Sequence, residues 1–370
     1  MRKKDRVLLY APHFAEYSTR LAQSLSAHAE VLLVIDGQNR REQCQDEWFR
    51  SATAQVRVIE FFVNRSILRL IWTPLLILAG LWFRPKVFHI QEQADFTSFW
   101  FTKILSLTTP VVVTVHDPTP HSGRDSEFIR LRGQGYRDQI RASASLFHVH
   151  GAFCRRQMLD LDSSRPVVQT YHGVLHVPAL DQMREPEPNR ILFFGRMEAY
   201  KGLEILLNAI DTANARGRDY KLVIAGRGDE LDRLRARASA TRGVVLRDAF
   251  LTPEEVVAQF QMCAVVVLPY LDATQSGVAA AAIGNGRPAV SSAIGGLPDV
   301  IVEGENGILV PPGDPMALAD ALDRILQDTK LREALTKGAR SAQSRLDWDL
   351  AARTIIGGYR AMPSVAWSGD

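Results

Sequence analysis

The fold of this chain is decided by the stretch Phe193-Phe194-Gly195-Arg196-Met197-Glu198-Ala199-Tyr200-Lys201-Gly202-Leu203. Apolar residues precede Gly195 and a helical pattern follows Gly202, so the stretch predicts a strand, a turn and a helix start. Within that turn stand two cations, Arg196 and Lys201. A guanidinium that bridges two oxygens and a movable ammonium, beside the free amides of a helix start, favour a diphosphate ligand. A solvated basic loop is the alternative interpretation.

The same alternation of strand and helix extends in both directions from this turn. Towards the C-terminus the predicted strands are Arg190–Phe194, Lys221–Ala225, Val244–Leu246, Val265–Leu268, Pro288–Val290 and Gly307–Val310. Towards the N-terminus they are Arg6–Ala11, Val31–Ile35, Val56–Ile59, Val87–Ile90, Val111–Val115, Leu146–His150 and Val167–Thr170. Short apolar strands that alternate with amphipathic helices predict parallel, doubly wound sheets.

A proline-rich and charged segment divides the two series of strands, and the length of 370 residues also favours two domains. We predict an α/β protein with two Rossmann-like doubly wound domains that face a cleft. The N-terminal domain is predicted at residues 1–178, the linker at 179–188 and the C-terminal domain at 189–347. Residues 348–370 are predicted to form a helix that packs back towards the N-terminal domain.

The bulk composition excludes several classes of protein. The net charge is only +3, and no basic run is interleaved with aromatic residues, so a nucleic-acid partner is not expected. The three cysteines, Cys44, Cys154 and Cys263, are far apart and show no metal-ligand spacing, which indicates a reducing compartment. The apolar run after Met1 is too short for a signal peptide. A cytoplasmic protein without a metal site is therefore predicted.

The segment from Ile67 to Phe83 is strongly apolar but contains Arg69 and Pro74. A helix that spans a bilayer needs about 20 apolar residues, so this segment is not expected to cross a membrane. Two interpretations stay open. The segment is a buried domain helix, or it is a helix that rests in the inner membrane surface with arginines at the lipid headgroups, which would make the protein a peripheral one.

Two further turns carry candidate ligand-binding groups. The first is Ala225-Gly226-Arg227-Gly228, where glycines after a strand let another group, such as a nucleoside, approach the backbone closely. A tight structural turn is an equal alternative. The second is Thr274-Gln275-Ser276-Gly277-Val278, followed by an alanine-rich helix. The Ser276 hydroxyl and the first backbone amides of that helix form an anion-binding site, unless Ser276 simply caps the helix.

Four stretches in this order resemble the donor domain of glycosyltransferase family 4. They are Phe193–Leu203, Ala225–Asp229, Pro269–Pro288, and Ile294–Val300 with the run from Glu303 to Asp314. The resemblance covers residues from about Arg190 to Tyr359. It implies the two-domain GT-B fold, transfer with retention of anomeric configuration, and a nucleotide-diphosphate sugar as substrate with no cofactor required.

The resemblance also implies roles for individual residues. The predicted catalytic residues are His116, Arg196 and Lys201, and the predicted donor-binding residues are Gly195, Gly226, Gly228, Asp272, Ser276, Gly277 and Val278. A core histidine held by a hydrogen bond is the alternative interpretation of His116.

Two departures from the family pattern concern the donor carboxylates and the first loop. Most members place two glutamates, with seven residues between them, around the turn at residues 272–281. Here Asp272 takes the first position and the second falls at Ala280 or Ala281. The loop after the first strand has Pro12-His13-Phe14 where members often have two glycines.

The predicted function is a retaining hexosyltransferase. It would move a sugar from a UDP- or GDP-linked donor to a glycan or lipid-linked acceptor, in exopolysaccharide or lipopolysaccharide biosynthesis. A non-catalytic nucleotide-sugar-binding protein and a sugar-nucleotide epimerase are the alternatives. A nicotinamide oxidoreductase is disfavoured because the first strand-to-helix turn has no glycine. The Asp160-Leu161-Asp162 triplet matches a metal-binding motif but follows a helical pattern, so we interpret it as a helix terminus.

Overall fold

A computed structural model describes residues 4–62, 66–119, 133–175, 185–249, 251–363, 365 and 367. Its contacts divide the described chain into two units. The first unit holds the described residues up to Gly173 and those from Trp348 onwards, and the second holds Val174 to Asp347. Most of the predicted linker, 179–188, lies outside the described residues.

The first unit is built on a parallel sheet of seven strands in the order β3-β2-β1-β4-β5-β6-β7. The strands are β1 Arg6–Ala11, β2 Glu30–Asp36, β3 Arg57–Phe61, β4 Val87–Gln91, β5 Val111–Val115, β6 Leu146–His150 and β7 Val167–Thr170. The helices are α1 Ala15–Ser26, α2 Gly37–Gln43, α3 Asp46–Ala52, α4 Ser66–Phe83, α5 Phe96–Leu105, α6 Gln134–Ala142 and α7 Gly151–Leu161, with α15 Trp348–Ala361 at the C-terminal end.

The second unit is built on a parallel sheet of six strands in the order β10-β9-β8-β11-β12-β13. The strands are β8 Arg190–Phe194, β9 Lys221–Ala225, β10 Val244–Arg247, β11 Val265–Leu268, β12 Ala289–Ser292 and β13 Gly307–Val310. The helices are α8 Leu203–Ala215, α9 Asp229–Ala240, α10 Pro253–Met262, α11 Gly277–Gly284, α12 Leu297–Val300, α13 Pro315–Gln327 and α14 Thr329–Ala342.

Both sheets are parallel and doubly wound, as predicted, and each of the predicted strands is present. The central strands are buried along their whole length, as Val111–Val115 shows, because helices cover both faces of a parallel sheet. In each sheet the strand order reverses once, between β1 and β4 and between β8 and β11. Ligands of doubly wound proteins bind at the carboxyl ends of the strands beside such a reversal.

Helix α4 packs on the core of the first unit with one face and exposes the other. Thr73, Leu76 and Phe83 face the core, and Gly80 lets the helix approach Phe101 and Leu105 of α5. The opposite face is also apolar and is exposed, with Leu78 at 62% and Trp82 at 76%. Apolar content alone could not reveal this, because both faces carry the same kind of residue.

Helix α15 belongs to the first unit, where it contacts α1, β6 and β7. Gly358 allows close contact with Val168, since a Cβ there would lie 2.4 Å from a Val168 methyl group. The buried Tyr359 hydroxyl lies 2.5 Å from Nδ1 of His89. The C-terminal helix is thereby fixed to the interior of the first sheet through a polar contact as well as apolar packing.

Among the residues that the structure describes, no helix combines the length and the hydrophobicity needed to cross a bilayer, and this includes α4. The Asp160–Asp162 triplet lies at the C-terminal end of α7, as predicted. The Asp162 carboxylate accepts a hydrogen bond from the Ser164 amide and pairs with Arg165.

Candidate functional site

The turn after β8 brings a buried ammonium against a glycine. Gly195 has φ +114°, and a Cβ there would lie 2.7 Å from the Lys201 Nζ and 3.5 Å from a methyl group of Val278. Lys201 ends a short 3-10 turn, Ala199–Lys201, and Gly202 follows in the left-handed conformation. The side chain of Lys201 thus folds back onto Gly195, next to the first turn of α11. Residues from the carboxyl ends of β8 and β11 meet there.

The Lys201 ammonium lies in a poorly solvated environment. Only 7% of the residue is exposed, and Nζ is 5.7 Å from the centre of the Tyr270 ring. Burial, followed by repulsion from Arg196, lowers the pKa of Lys201 to about 8, and Glu198 opposes this shift. A cation that pays a desolvation cost in the free protein gains more from an anionic ligand than a solvated lysine would.

Arg196 lies on the same turn but in a different environment. Its side chain is 68% exposed, and Nε is 3.5 Å from an oxygen of Glu198. The structure therefore brings Lys201, Gly195 and Val278 together, whereas the guanidinium of Arg196 extends into solvent beside them.

Gly226 and Gly228 support this turn through backbone contacts. A Cβ at Gly226 would lie 2.0 Å from the Gly195 carbonyl oxygen, and one at Gly228 would lie 2.4 Å from that of Met197. The Met197 amide donates to the Arg227 carbonyl at 2.8 Å. In the described structure the backbone of the β8 turn lies against these glycines, as in the tight structural turn that the sequence also allowed. Their contact with a nucleoside stays a prediction.

Ser276 caps helix α11, because its hydroxyl accepts a hydrogen bond from the Ala279 amide at 3.2 Å. From the sequence, capping was the alternative to an anion-binding role for the Ser276 hydroxyl. The amides of Gly277 and Val278 come before the first hydrogen bonds of the helix, so they can still bind an anion. The side chain of Val278 is the one that reaches Gly195.

Gly295 and Gly296 have a supporting role that sequence reasoning missed. A Cβ at Gly295, where φ is +56°, would lie 1.6 Å from the Ala273 carbonyl oxygen. A Cβ at Gly296 would lie 2.1 Å from that of Thr274. The loop before α11 therefore rests directly on the Gly-Gly turn, and only glycine permits such an approach. The adjacent glycines in the sequence were the available signal.

The carboxylate positions differ from those of the family pattern. Asp272 lies in the loop between β11 and α11 and is partly exposed. Ala280 and Ala281 are both buried in α11, so the position of the second family glutamate carries no acid here.

His116 lies in the first unit, directly after β5, and is 5% exposed. Its Nε2 is 2.9 Å from Oε1 of Gln91, at the end of β4. The Phe14 ring lies against it, with 4.3 Å between ring centres. Phe14 has φ +56°, a left-handed conformation that is unusual for a residue other than glycine. Side chains at or just after the carboxyl ends of β1, β4 and β5 thus meet beside the reversal of strand order in the first sheet.

Comparison with known proteins now identifies the family. The sequence profile described as Glycosyl transferases group 1 matches residues 188–328. The chain is 35% identical over 292 residues to the phosphatidyl-myo-inositol mannosyltransferase of Mycobacterium leprae, which covers 77% of this chain and 75% of that protein. The chain belongs to the group 1 glycosyltransferases. This confirms the resemblance stated from the sequence.

Other relatives of this glycosyltransferase match a shorter region. The D-inositol 3-phosphate glycosyltransferase of Corynebacterium urealyticum is 32% identical over 186 residues, which cover 48% of this chain. The match spans only 44% of that relative's length.

Solved structures confirm the predicted GT-B fold of this glycosyltransferase. Sucrose-phosphate synthase from Thermosynechococcus elongatus superposes with a TM-score of 0.73 at 18% identity, over 96% of this chain and 98% of that one. The Anabaena protein HepE in complex with UDP gives a TM-score of 0.69 at 16% identity, over 96% of this chain and all of that one. At these identities the likeness shows the fold alone.

Two glycines with nearly the same φ test whether the turn after β8 depends on backbone contact. Gly202→Ala and Gly217→Ala both place a side chain in the left-handed region, at φ +72° and +76°, which costs about 1–2 kcal/mol. A Cβ at Gly202 would lie 2.0 Å from the Pro269 carbonyl oxygen, whereas nothing lies within 4 Å of a Cβ at Gly217. We expect Gly202→Ala to lower the free energy of unfolding by about 1–3 kcal/mol more than Gly217→Ala does, as overpacking of a tight site does. Equal losses in urea titrations would contradict the proposed packing.

Proposed function

We propose that this protein transfers a hexosyl unit, with retention, from a UDP- or GDP-linked donor to a glycan or lipid-linked acceptor. The observation that carries the proposal is the buried Lys201 ammonium against Gly195 at the start of α11. A buried cation beside helix amides is complementary to a pyrophosphate. The solved HepE complex contains UDP, and the Mycobacterium leprae relative is named as a mannosyltransferase, which supports a nucleotide-sugar donor.

In the proposed reaction the bond between the sugar C1 and the phosphate oxygen breaks, and the nucleoside diphosphate leaves with the electron pair. The acceptor hydroxyl oxygen bonds to C1 on the same face, and its proton passes to a leaving phosphate oxygen. Lys201, Arg196 and the amides of Gly277 and Val278 stabilise the negative charge that grows on the diphosphate. This scheme assigns no step to a metal ion or to a second carboxylate.

A lipid-linked acceptor is proposed from the surface of the first unit. The exposed apolar face of α4 holds Leu70, Ile71, Leu75, Leu78, Leu81 and Trp82, and Trp100 of the adjoining α5 is also exposed. We name these seven residues the α4–α5 surface. Exposed cations, Arg84 and Lys103, lie at its sides, and neither helix contains an acidic residue. An apolar face with a positive border suits the inner surface of an anionic membrane, so we propose a peripheral membrane protein in polysaccharide or lipopolysaccharide assembly.

Two other functions remain as outcomes of an assay. The absence of an acid at Ala280 and Ala281 favours a non-catalytic protein that binds nucleotide sugars, which would retain the donor without consuming it. A sugar-nucleotide epimerase would convert the donor in the absence of any acceptor. Incubation of the protein with a panel of nucleotide sugars, with and without lipid-linked acceptors, distinguishes these cases by the products formed.

Removal of the buried cation should abolish most of the transfer. Lys201→Met is expected to lower kcat by about 100- to 1000-fold, the effect of losing one preorganised charge-stabilising group. Arg196→Ala should have a smaller effect because its exposed guanidinium is screened by solvent. The control is Lys330→Ala, an exposed lysine on α14, which should leave kcat unchanged. Unchanged turnover in Lys201→Met would refute the proposed role of this residue.

Donor binding should depend on pH through Lys201. Its pKa is lowered to about 8, and a diphosphate binds the ammonium rather than the neutral amine. The affinity is therefore fully present below that pKa and falls as the pH rises through 8. Because the bound diphosphate raises the pKa, binding at pH 8 takes up a fraction of a proton. Calorimetric titration of UDP in buffers of different ionisation enthalpy measures this uptake, which Lys201→Met should remove. No uptake in the wild-type protein would count against the diphosphate contact.

The α4–α5 surface should bind anionic vesicles. The double variant Leu78→Glu/Trp82→Glu is expected to reduce sedimentation with phosphatidylglycerol vesicles, because burial of each large apolar side chain contributes about 1.5–3 kcal/mol. The matched control is the double variant Leu161→Glu/Met316→Glu, which adds the same two charges at apolar residues elsewhere that are 53% and 51% exposed. Equal binding by all variants, or no binding by the wild-type protein, would contradict the membrane proposal.

A further inference from the structure

A chain of buried hydrogen bonds crosses four neighbouring strands of the first sheet and ends on the C-terminal helix. Nδ1 of His89 lies 2.5 Å from the Tyr359 hydroxyl, and its Nε2 lies 2.6 Å from Oγ1 of Thr114. The same Oγ1 lies 2.9 Å from Nδ1 of His148, whose Nε2 lies 2.8 Å from Oγ1 of Thr170. We name these five residues the histidine chain. It joins β4, β5, β6 and β7 to α15.

The number of protons in the histidine chain favours neutral rings, whichever tautomers they adopt. Each hydroxyl and each neutral imidazole carries one proton for hydrogen bonding, so five protons serve four contacts. One hydroxyl must therefore already point its hydrogen away from the chain. Protonation of His89 or His148 would force a second hydroxyl to do so and would leave a charge in the interior.

The rings lie where a charge is costly. His89 and His148 are both fully buried. Burial, and then the charge of the neighbouring histidine, holds the pKa of His89 well below its usual range. Burial, followed by the charge of His172, lowers the pKa of His148 to about 3. The next ring on the same face of β6 is His150, with 4.9 Å between the two ring centres, and neither of its nitrogens has a hydrogen-bond partner among the described residues.

The groups around the histidine chain do not compensate a positive charge. The titratable side chains that face these rings are Glu16 and Tyr17 of α1, Cys154 of α7, Tyr359 of α15 and the histidines at positions 13, 116, 150 and 172. Burial lowers the pKa of His172, and the Gly173 carbonyl and Glu16 oppose this shift. The Glu16 carboxylate pairs with Arg20 at 2.9 Å, so its charge is already matched.

Histidines are confined to one part of the sequence. All 9 lie at or before position 176, and none follows it. The part of the second unit that the structure describes therefore contains no histidine. A response to mild acid that depends on imidazole rings is thus restricted to the first unit.

Helix α15 packs over the strands that carry the rings. It contacts β6 and β7, and its Tyr359 is fully buried. A Cβ at Gly358 would lie 3.1 Å from a methyl group of Leu146, which shows how closely the helix approaches β6. Departure of α15 from the sheet would remove the Tyr359 hydroxyl from His89 and would let water reach the ring.

We propose that the histidine chain is an acid-sensitive switch, which releases α15 from the first sheet in mild acid while the second unit keeps its fold. A solvated histidine takes up a proton near pH 6.5, whereas the buried rings stay neutral. The released state therefore binds more protons, and its population rises as the pH falls below about 6.5. Each ring that the release exposes contributes about a factor of ten per pH unit. The gain ends where the buried rings themselves titrate, which for His148 is a pKa of about 3.

The test is amide hydrogen exchange of the whole protein, followed by mass spectrometry between about pH 7.5 and 5 and corrected for the intrinsic pH dependence of exchange. We expect the protection of the α15 amides to fall about 100-fold per pH unit below about pH 6.5, because His89 and His148 both become exposed. The protection of the α8 amides in the second unit should stay constant.

Three variants separate the switch from a loss of stability. His148→Gln removes one titrating ring, so the α15 slope should fall to about tenfold per pH unit, whatever the loss of protection at pH 7. Tyr359→Phe removes a contact but no titrating ring, so it should lower the protection of α15 about 3- to 10-fold at every pH and keep the wild-type slope. The control is His28→Gln, at an exposed histidine, which should change neither the protection nor the slope.

A protection of α15 that does not depend on pH would overturn the inference, as would an unchanged slope in His148→Gln. Equal slopes for α8 and α15 would also overturn it, because the whole protein would then open in one step. If His148→Gln fails to fold, unchanged α15 protection in Tyr359→Phe would still refute the switch. No substrate enters these measurements, so their outcome is independent of the proposed function.

Discussion

The candidate site of the second unit is organised around the buried ammonium of Lys201. The Lys201 ammonium lies against Gly195 and next to α11, with little access to water. Such a position is unfavourable for a cation, as the lowered pKa of Lys201 indicates. The fold maintains it because the carboxyl ends of β8 and β11 meet where the strand order reverses.

Backbone contact between glycine turns holds this charge in place. The β9 turn packs against the β8 turn through Gly226 and Gly228, and the Gly295–Gly296 turn supports the loop before α11. Each contact brings a carbonyl oxygen to where a Cβ would be. The geometry near the Lys201 ammonium therefore depends on glycines that contribute no side chain. Substitution of these glycines would shift the β8 turn and the loop before α11, and with them the ammonium and the α11 amides.

The sequence predicted some features well for physical reasons. Strands that helices cover on both faces are continuous apolar runs in the sequence, so the sequence predicted each strand of the two sheets. The glycine turns were found as well, but the backbone groups that they contact were not, because a sequence pattern does not show what approaches a glycine. The sequence could not decide between a buried and an interfacial α4, since apolar residues occur on both sides of the helix. The contact of Gln91 with His116 joins residues 25 positions apart on adjacent strands, and no local pattern reports it.

The position of the bound diphosphate in the second unit is the most direct test of the role of Lys201. A crystal structure of the protein soaked with a UDP- or GDP-linked sugar would measure this. We expect the β-phosphate within hydrogen-bond distance of the Lys201 Nζ and of the amides of Gly277 and Val278. A diphosphate bound away from Lys201, with its ammonium still against Gly195, would contradict the account.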